Sequence, residues 1–352
     1  MNLALPIPDA VPPDLYGRRG RDPLLRVLER LMNAHMHSLR FLHRSDVVGE
    51  RRDRRRQVVV AHRAVEAHDD NVVSFTLASP DGSELPAWRA GAHIDVEMPS
   101  GRVRQYSLCG DPADGKRYRI AVRRIPGGDG GSMEMHDDVG VGSRLIIRGP
   151  RNAFAFAVPG HGSTAEHLHF VAGGIGITPI LPMMRLAHRL GLDWSMVYTG
   201  RSRNSLPFLD EIDDYGDRVT IRTDDVDGIP SADILLTGSR TTSAVYACGP
   251  MPMIAVLNRG VNPGSEFHFE RFSAPPIVNG AEFEVELART GQRVTVPADK
   301  SVLDAVKPFR PDIAYSCRQG FCGTCRVPAV GRPEGMLICT DRSAGERVVL
   351  DL

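Results

Sequence analysis

The segment CRQGFCGTC, residues 317–325, sets three cysteines at spacings of four and then two intervening residues, and a fourth, Cys339, follows in MLICT. Three thiols this close cannot be scattered through a core, so the chain must turn tightly around something that the sulfurs share. The order C-x4-C-x2-C with a more distant fourth cysteine is the plant-type spacing of a 2Fe-2S centre, in which four thiolates hold two irons. Gly320, Gly323 and Thr324 suit such a turn, because small residues let backbone N–H groups approach the sulfurs. Cys317, Cys322, Cys325 and Cys339 are therefore the expected ligands. A structural zinc site fits less well, since it favours paired C-x2-C units, and four buried free thiols are the remaining reading. Cys109 and Cys248 stand in other parts of the chain.

Composition sets the frame around that segment. With 352 residues and 42% hydrophobic side chains, the chain can build two or three cores. Its 43 basic and 43 acidic groups cancel, so no overall field draws it to nucleic acid or to an anionic membrane. No apolar run reaches the length of a membrane span, and the start, MNLALPIPDAVPPDL, has no basic region ahead of an apolar one. A cytoplasmic protein is expected, and in that reducing compartment six cysteines point to metal or redox work.

Four stretches differ in pattern, which predicts a multidomain chain of α/β and β parts. Residues 1–56 hold one amphipathic helix, opened by Asp22 and Pro23 and carried by Leu24, Leu28, Leu31, Leu39 and Leu42, followed by the basic run RRDRRR; their net charge is +5. That part is expected to pack on the body through its helix and to end in a solvated linker; docking of an acidic redox partner is the alternative. Residues 57–160 alternate in short runs such as RQVVVAHRAV, VVSFTLAS, AHIDVEMP, RQYSLCG, YRIAVRRI and SRLIIRGP, the signature of a small antiparallel barrel. Residues 161–275 repeat strand, glycine loop and helix, which predicts a parallel sheet with crossover helices. Residues 276–352 begin with a strand pair and a helix and end in the cysteine segment.

Further signals lie in the middle stretches. In RVRQYSLCG, Arg104 and Tyr106 share one face of a strand, with Ser107 on the other side; a guanidinium, a phenol and a hydroxyl can hold a phosphate and line a ring. PGGDGGSMEMHD is a glycine loop entering a helix near Ser132, where free N–H groups favour an anion, unless it is only a hairpin loop. FVAGGIGITPI and YACGPMPM each end a strand with glycine, at the edge where open sheets bind ligands. A tight strand-to-helix turn is the plain alternative for each.

Taken in order, R-x-Y-S, G-G-S, G-G-I-G-I-T-P, C-G-P-M, FERF and the cysteine motif make residues 57–352 resemble the phthalate dioxygenase reductase family of the ferredoxin reductase superfamily. The resemblance implies an antiparallel flavin-binding β-barrel, an α/β nicotinamide-binding domain and a C-terminal β-grasp ferredoxin domain. It assigns Arg104, Tyr106, Ser107 and Leu108 to the flavin, and Gly131 with Ser132 to its phosphate, which favours FMN over FAD. Phe272 and Glu270 of FERF would close over the flavin. Gly174, Thr178, Pro179, Arg201, Cys248, Gly249 and Met251 would line the NAD(P) site, with Cys248 and Glu270 nearest the hydride transfer and no side chain acting as acid or base. Two departures stand out. Members carry a longer stretch with a His-Arg-Asp segment between the third and fourth cysteines, where this chain has only RVPAVGRPEGMLI, and residues 1–56 fall outside the shared core.

The implied function is electron transfer from NAD(P)H through FMN to the 2Fe-2S cluster, and from there to a terminal oxygenase or another one-electron acceptor, by a monomer. On coenzyme choice the signals divide. No acidic residue follows WSMVYTG to bind a ribose diol, and Arg201 and Arg203 suit a 2′-phosphate, whereas the resemblance favours NADH over NADPH. Two rivals remain at this level: a flavin reductase or diaphorase with a non-functional cluster domain, and a non-catalytic redox or iron sensor.

Overall fold

The structure, a computed structural model, describes residues 55–352 other than 129, 161, 273–276, 316, 317, 321, 322, 344 and 346. The amphipathic helix and most of the basic run expected in residues 1–56, and the ligands Cys317 and Cys322, lie outside the described residues.

Each of the six alternating runs forms one strand: β1 (Arg55–Val65), β2 (Val72–Ala78), β3 (Ala92–Glu97), β4 (Val103–Ser107), β5 (Arg117–Arg123) and β6 (Arg144–Asn152). They hydrogen-bond as one antiparallel sheet in the order β4-β3-β6-β1-β2-β5. Past the end of β4, the Cys109 N–H donates to the Arg119 carbonyl of β5 at 2.8 Å, drawing the two edges together into a barrel. Val58, Phe75, Leu77, Ile94, Leu108 and Ile120 fill its interior at 0% exposure, so truncating Phe75 to alanine costs about 3–5 kcal/mol. The short helix α1 (Gly131–Asp137) covers one end, its Met135 buried in the same core.

A two-residue ladder, β7 (Val158–Pro159) with β8 (Gly162–Ser163), leads into a parallel sheet. Its strands are β9 (His167–Gly173), β10 (Trp194–Gly200), β11 (Val219–Thr223), β12 (Ser243–Cys248) and β13 (Glu266–Glu270), in the order β11-β10-β9-β12-β13. All neighbours run parallel. β9 is buried at every position, as a central parallel strand with both faces covered must be. Helix α2 (Ile177–Arg189) buries Ile177, Ile180, Leu181 and Met184 at helical spacing on one face, and the shorter crossovers are α3 (Leu209–Asp213), α4 (Asp224–Asp227), α5 (Ala232–Leu235) and α6 (Met251–Gly260). Chain direction across the sheet reverses between β9 and β12, the switch point at which open α/β sheets hold ligands.

The barrel and this sheet share a seam. Val72, Ala121 and Phe154 of the barrel belong to the same apolar core as Phe170, Met183 and Tyr246. Around it, Arg119 of β5 pairs with Glu66 at 2.7 Å and with Glu211 of α3 at 2.6 Å, and Arg185 of α2 pairs with Glu211 as well.

The C-terminal part is a five-stranded sheet in the order β15-β14-β18-β16-β17, with β14 (Phe283–Leu287) and β18 (Arg347–Leu350) parallel at its centre and the remaining pairs antiparallel. β15 (Gln292–Val296) closes the first hairpin and leads to helix α7 (Val302–Val306), which caps the sheet through Val302, Leu303 and Val306. This is the β-grasp arrangement. β16 (Arg326–Ala329) and β17 (Arg332–Leu337) pair through Ala329 and Arg332, so the short stretch after the third cysteine closes through Val330 and Gly331, the latter at φ 77°.

Candidate functional site

Two adjoining clefts lie along the seam. The smaller, about 190 Å³, is lined by Arg104, Tyr106 and Ser107 from β4, by Ala121, Val122 and Arg123 from β5, and by Ser132, Thr178 and Phe272. Its chemistry is cationic at one end and apolar along the walls. Phe272 stands 51% exposed at its mouth, an aromatic ring left without cover. Gly131 packs so closely on Arg104 that a Cβ there falls 2.9 Å from the Arg104 Nε, which keeps the guanidinium against the first turn of α1. Ser132 is tied locally: its hydroxyl accepts from the Ile125 N–H at 3.0 Å and closes the glycine loop. A phosphate-bearing flavin fits this donor set.

Ser107 ends β4 and lines the same cleft as Arg104 and Tyr106, and its hydroxyl donates to the Glu270 carboxyl at 3.4 Å. Glu270 is paired across β12 and β13 with Cys248, and both are buried. Burial pushes the Glu270 carboxyl up to about 8, with the Ser107 hydrogen bond opposing it, and burial pushes the Cys248 thiol up as well. Leu108 lines neither cleft, because its side chain is fully buried in the barrel core.

The larger cleft, about 870 Å³, opens at the carboxyl ends of the parallel strands. Gly173 ends β9 and Gly174 and Ile175 follow it, Gly200 ends β10 and Arg201 and Ser202 follow it, Asp224 follows β11, and Pro250 and Met253 follow β12. Arg123, Ile125 and Ile175 line both clefts, so the two adjoin there. Residues singled out in the sequence are distributed differently from expectation. Thr178 lines the smaller cleft, its hydroxyl donating to the Ile175 carbonyl at 3.0 Å, and Pro179 is buried in α2 and lines neither. Gly249 is small for packing: a Cβ there lies 2.4 Å from the Met253 methyl and 3.1 Å from the Gly173 Cα. Cys248 is buried beneath this crossing, and Met251 turns outward, its sulfur 3.5 Å from the Arg271 guanidinium.

Among the cleft residues that sequence reasoning missed, Arg123, Met253 and Asp224 bear most on the site. Arg123 ends β5 with its guanidinium 2.6 Å from the Ser205 carbonyl, and strand alternation in YRIAVRR was the signal available for it. Met253 replaces Met251 at the wall. Asp224 supplies the carboxylate that is absent after β10, and it comes from the next strand. Arg203, by contrast, faces Asp213 at 3.8 Å.

In the C-terminal domain, Cys325 and Cys339 flank the short hairpin and stand with their sulfurs 3.1 Å apart, both buried. The Cys325 contact first, then a backbone hydrogen bond from Gly320 and a side-chain one from Thr340, lowers the Cys339 thiol to about 6, while burial opposes them. A thiol so disposed is a metal ligand in waiting. The shortened hairpin therefore still delivers the third and fourth sulfurs to one place. No helix among the described residues is long and apolar enough to cross a membrane.

Comparison with known proteins agrees with these parts. The 2Fe-2S iron-sulfur cluster binding domain family matches residues 285–341. The phenoxybenzoate dioxygenase subunit beta of Ectopseudomonas oleovorans is 37% identical over 80% of this chain and 89% of its own length. The phthalate 4,5-dioxygenase reductase subunit of Pseudomonas putida is 35% identical over 80% of this chain and 92% of its own. Among solved structures, phthalate dioxygenase reductase, described as a modular structure for electron transfer from pyridine nucleotides to [2Fe-2S], superposes with a TM-score of 0.66 at 31% identity, covering 84% of this chain and 97% of that one. Full-length CYP116B46 from Tepidiphilus thermophilus matches 85% of this chain at 36% identity with a TM-score of 0.65, and this chain spans 42% of it. The chain belongs to the phthalate dioxygenase reductase family, the NAD(P)H oxidoreductases that carry FMN and a 2Fe-2S centre and serve oxygenase systems.

Proposed function

We propose that this chain takes hydride from NADH in the larger cleft, holds FMN in the smaller one, and delivers electrons singly through a centre held by Cys317, Cys322, Cys325 and Cys339 to a terminal oxygenase. The observation that carries this reading is that the two clefts adjoin, sharing Arg123, Ile125 and Ile175, which sets a nicotinamide bound in one next to a ring bound in the other. When bound, FMN supplies a carrier that accepts a hydride and releases its two electrons one at a time, and the 2Fe-2S centre accepts them singly.

The chain's own groups bind, orient and exclude water. Arg104 and Ser132 hold the phosphate end, Tyr106 and Phe272 flank the ring, and the apolar wall at Ala121 and Val122 keeps water from it. Burial raises the Glu270 carboxyl to about 8, so its pair with Ser107, which lines the smaller cleft, would add no buried negative charge next to a flavin held there. Gly173 and Gly174 admit the nicotinamide side of the coenzyme, and Arg201 receives its phosphates. The Asp224 carboxylate at the rim favours an adenosine ribose diol and disfavours a 2′-phosphate, which supports NADH. One chain contributes both clefts and all four cysteines, so a monomer suffices. Buried free thiols at Cys109 and Cys248 suit a reducing, cytoplasmic setting.

The rival reading, a diaphorase with a non-functional cluster domain, loses its main support because the short hairpin still brings Cys325 and Cys339 together. Anaerobic titration of the purified protein with NADH and NADPH in parallel tests the proposal. The expected result is bleaching of the flavin and cluster bands with two electrons per NADH and a paramagnetic signal from the reduced cluster. A yellow protein without acid-labile sulfide establishes the diaphorase instead.

A further inference from the structure

The C-terminal domain has a core of its own, from Phe283, Val285 and Leu287 to Val348 and Leu350. Yet the segment bearing its first two cysteines is tied outward on both sides. Tyr315, two positions before Cys317, donates its hydroxyl to the Asp95 Oδ2 of β3 at 2.8 Å, across 220 residues of sequence. Lys307 Nζ donates to the same phenol oxygen at 2.6 Å, and the Arg151 guanidinium sits 5.2 Å over the Tyr315 ring. Asp95 is 1% exposed; burial works to raise its carboxyl, but Arg151, Tyr315 and Gln105 together hold it below the usual carboxylate range, so it accepts as an anion. On the other side, Gln319, between Cys317 and Cys322, exchanges hydrogen bonds with Arg271: its side-chain oxygen accepts from the Arg271 Nε at 3.1 Å and its amide donates to the Arg271 carbonyl.

Both anchors interleave with the flavin cleft. Gln105, which donates to Asp95 at 3.1 Å, lies between Arg104 and Tyr106 on β4, and Arg271 lies between Glu270 and Phe272. The cysteine segment is thus referenced to the strand and the aromatic that bound the smaller cleft. We infer that Tyr315–Asp95 and Gln319–Arg271 form a two-point clamp of positioning residues that sets the separation between flavin and cluster. This rests on the cofactor assignments proposed above. NADH gives up two electrons with its hydride, and the clamp governs the two one-electron transfers that follow, each of which weakens steeply with distance.

The test uses the cofactor-loaded full chain with Tyr315→Phe, Gln319→Ala and the double variant. NADH-driven reduction of ferricyanide reads the flavin, and reduction of cytochrome c reads passage through the cluster. Ferricyanide reduction is expected to stay within about twofold of the parent, while cytochrome c reduction falls about tenfold or more in the double variant and less in each single one. Independently of turnover, amide hydrogen exchange in residues 313–325 is expected to rise at least about fivefold. Unchanged cytochrome c reduction overturns the clamp, as does an equal fall in both rates or unchanged exchange. A parent protein that reduces ferricyanide but never cytochrome c overturns the assignment of the cluster instead.

Discussion

The Ser107 hydroxyl donates to the Glu270 carboxyl at 3.4 Å, joining the strand that ends in the flavin cleft to the last strand of the nucleotide sheet. These two residues are 163 positions apart, and their meeting puts a buried acid at the seam of two domains. Because Glu270 titrates at about 8 in the fold and near 4.5 when exposed, the folded state holds a proton that the unfolded chain releases in between. Its favourable contribution is complete below 4.5 and is lost as pH rises through about 8. Glu270→Gln cannot ionise. In flavin-free protein, the melting temperature of the parent should therefore fall relative to this variant by about 3 °C or more between about pH 5 and 9. A difference that stays constant across that range in thermal unfolding refutes the buried-acid account.

Cys339→Ser removes the sulfur that lies 3.1 Å from Cys325. Because a hydroxyl is a poor ligand for iron that the thiolates hold, acid-labile sulfide and the visible cluster bands should fall by about tenfold. Flavin content and NADH-driven ferricyanide reduction should remain within about twofold of the parent, since none of the cleft residues is touched. Sulfide assay and absorbance spectra check this directly.

Gly176→Ala places a Cβ 2.2 Å from the Cys248 carbonyl oxygen and 2.6 Å from its carbon. The obstacle is backbone at the end of β12, which cannot retreat without disturbing the buried strand. A loss of about 2 kcal/mol or more is expected, seen as a melting temperature lower by about 5 °C or more. Gly140→Ala, where nothing lies within 4 Å, is the control and should be nearly neutral.

Asp224→Ser withdraws the carboxylate from the rim of the larger cleft while Arg201 stays. Relative kcat/KM for NADPH over NADH should rise by about tenfold, chiefly because an unfavourable charge on the 2′-phosphate is gone. Parallel steady-state assays with the two coenzymes decide it, and an unchanged ratio removes Asp224 from coenzyme selection.

What the sequence determined by itself was local. Short runs such as YRIAVRRI and VVSFTLAS, rich in β-branched residues and bounded by turns, report strands, and each of the six runs became a strand of the barrel. The cysteine spacing and the glycines at strand ends were legible for the same reason: each is a demand that a short stretch of backbone makes on its own residues. Only the tertiary structure decided which of those residues meet. Thr178 moved to the flavin cleft, Gly249 proved to be a packing glycine, Asp224 arrived from a neighbouring strand, and Asp95 found Tyr315 across 220 residues. Such pairings depend on how the barrel, the parallel sheet and the C-terminal sheet pack together, and a pairwise contact between distant positions leaves no periodic trace in either segment.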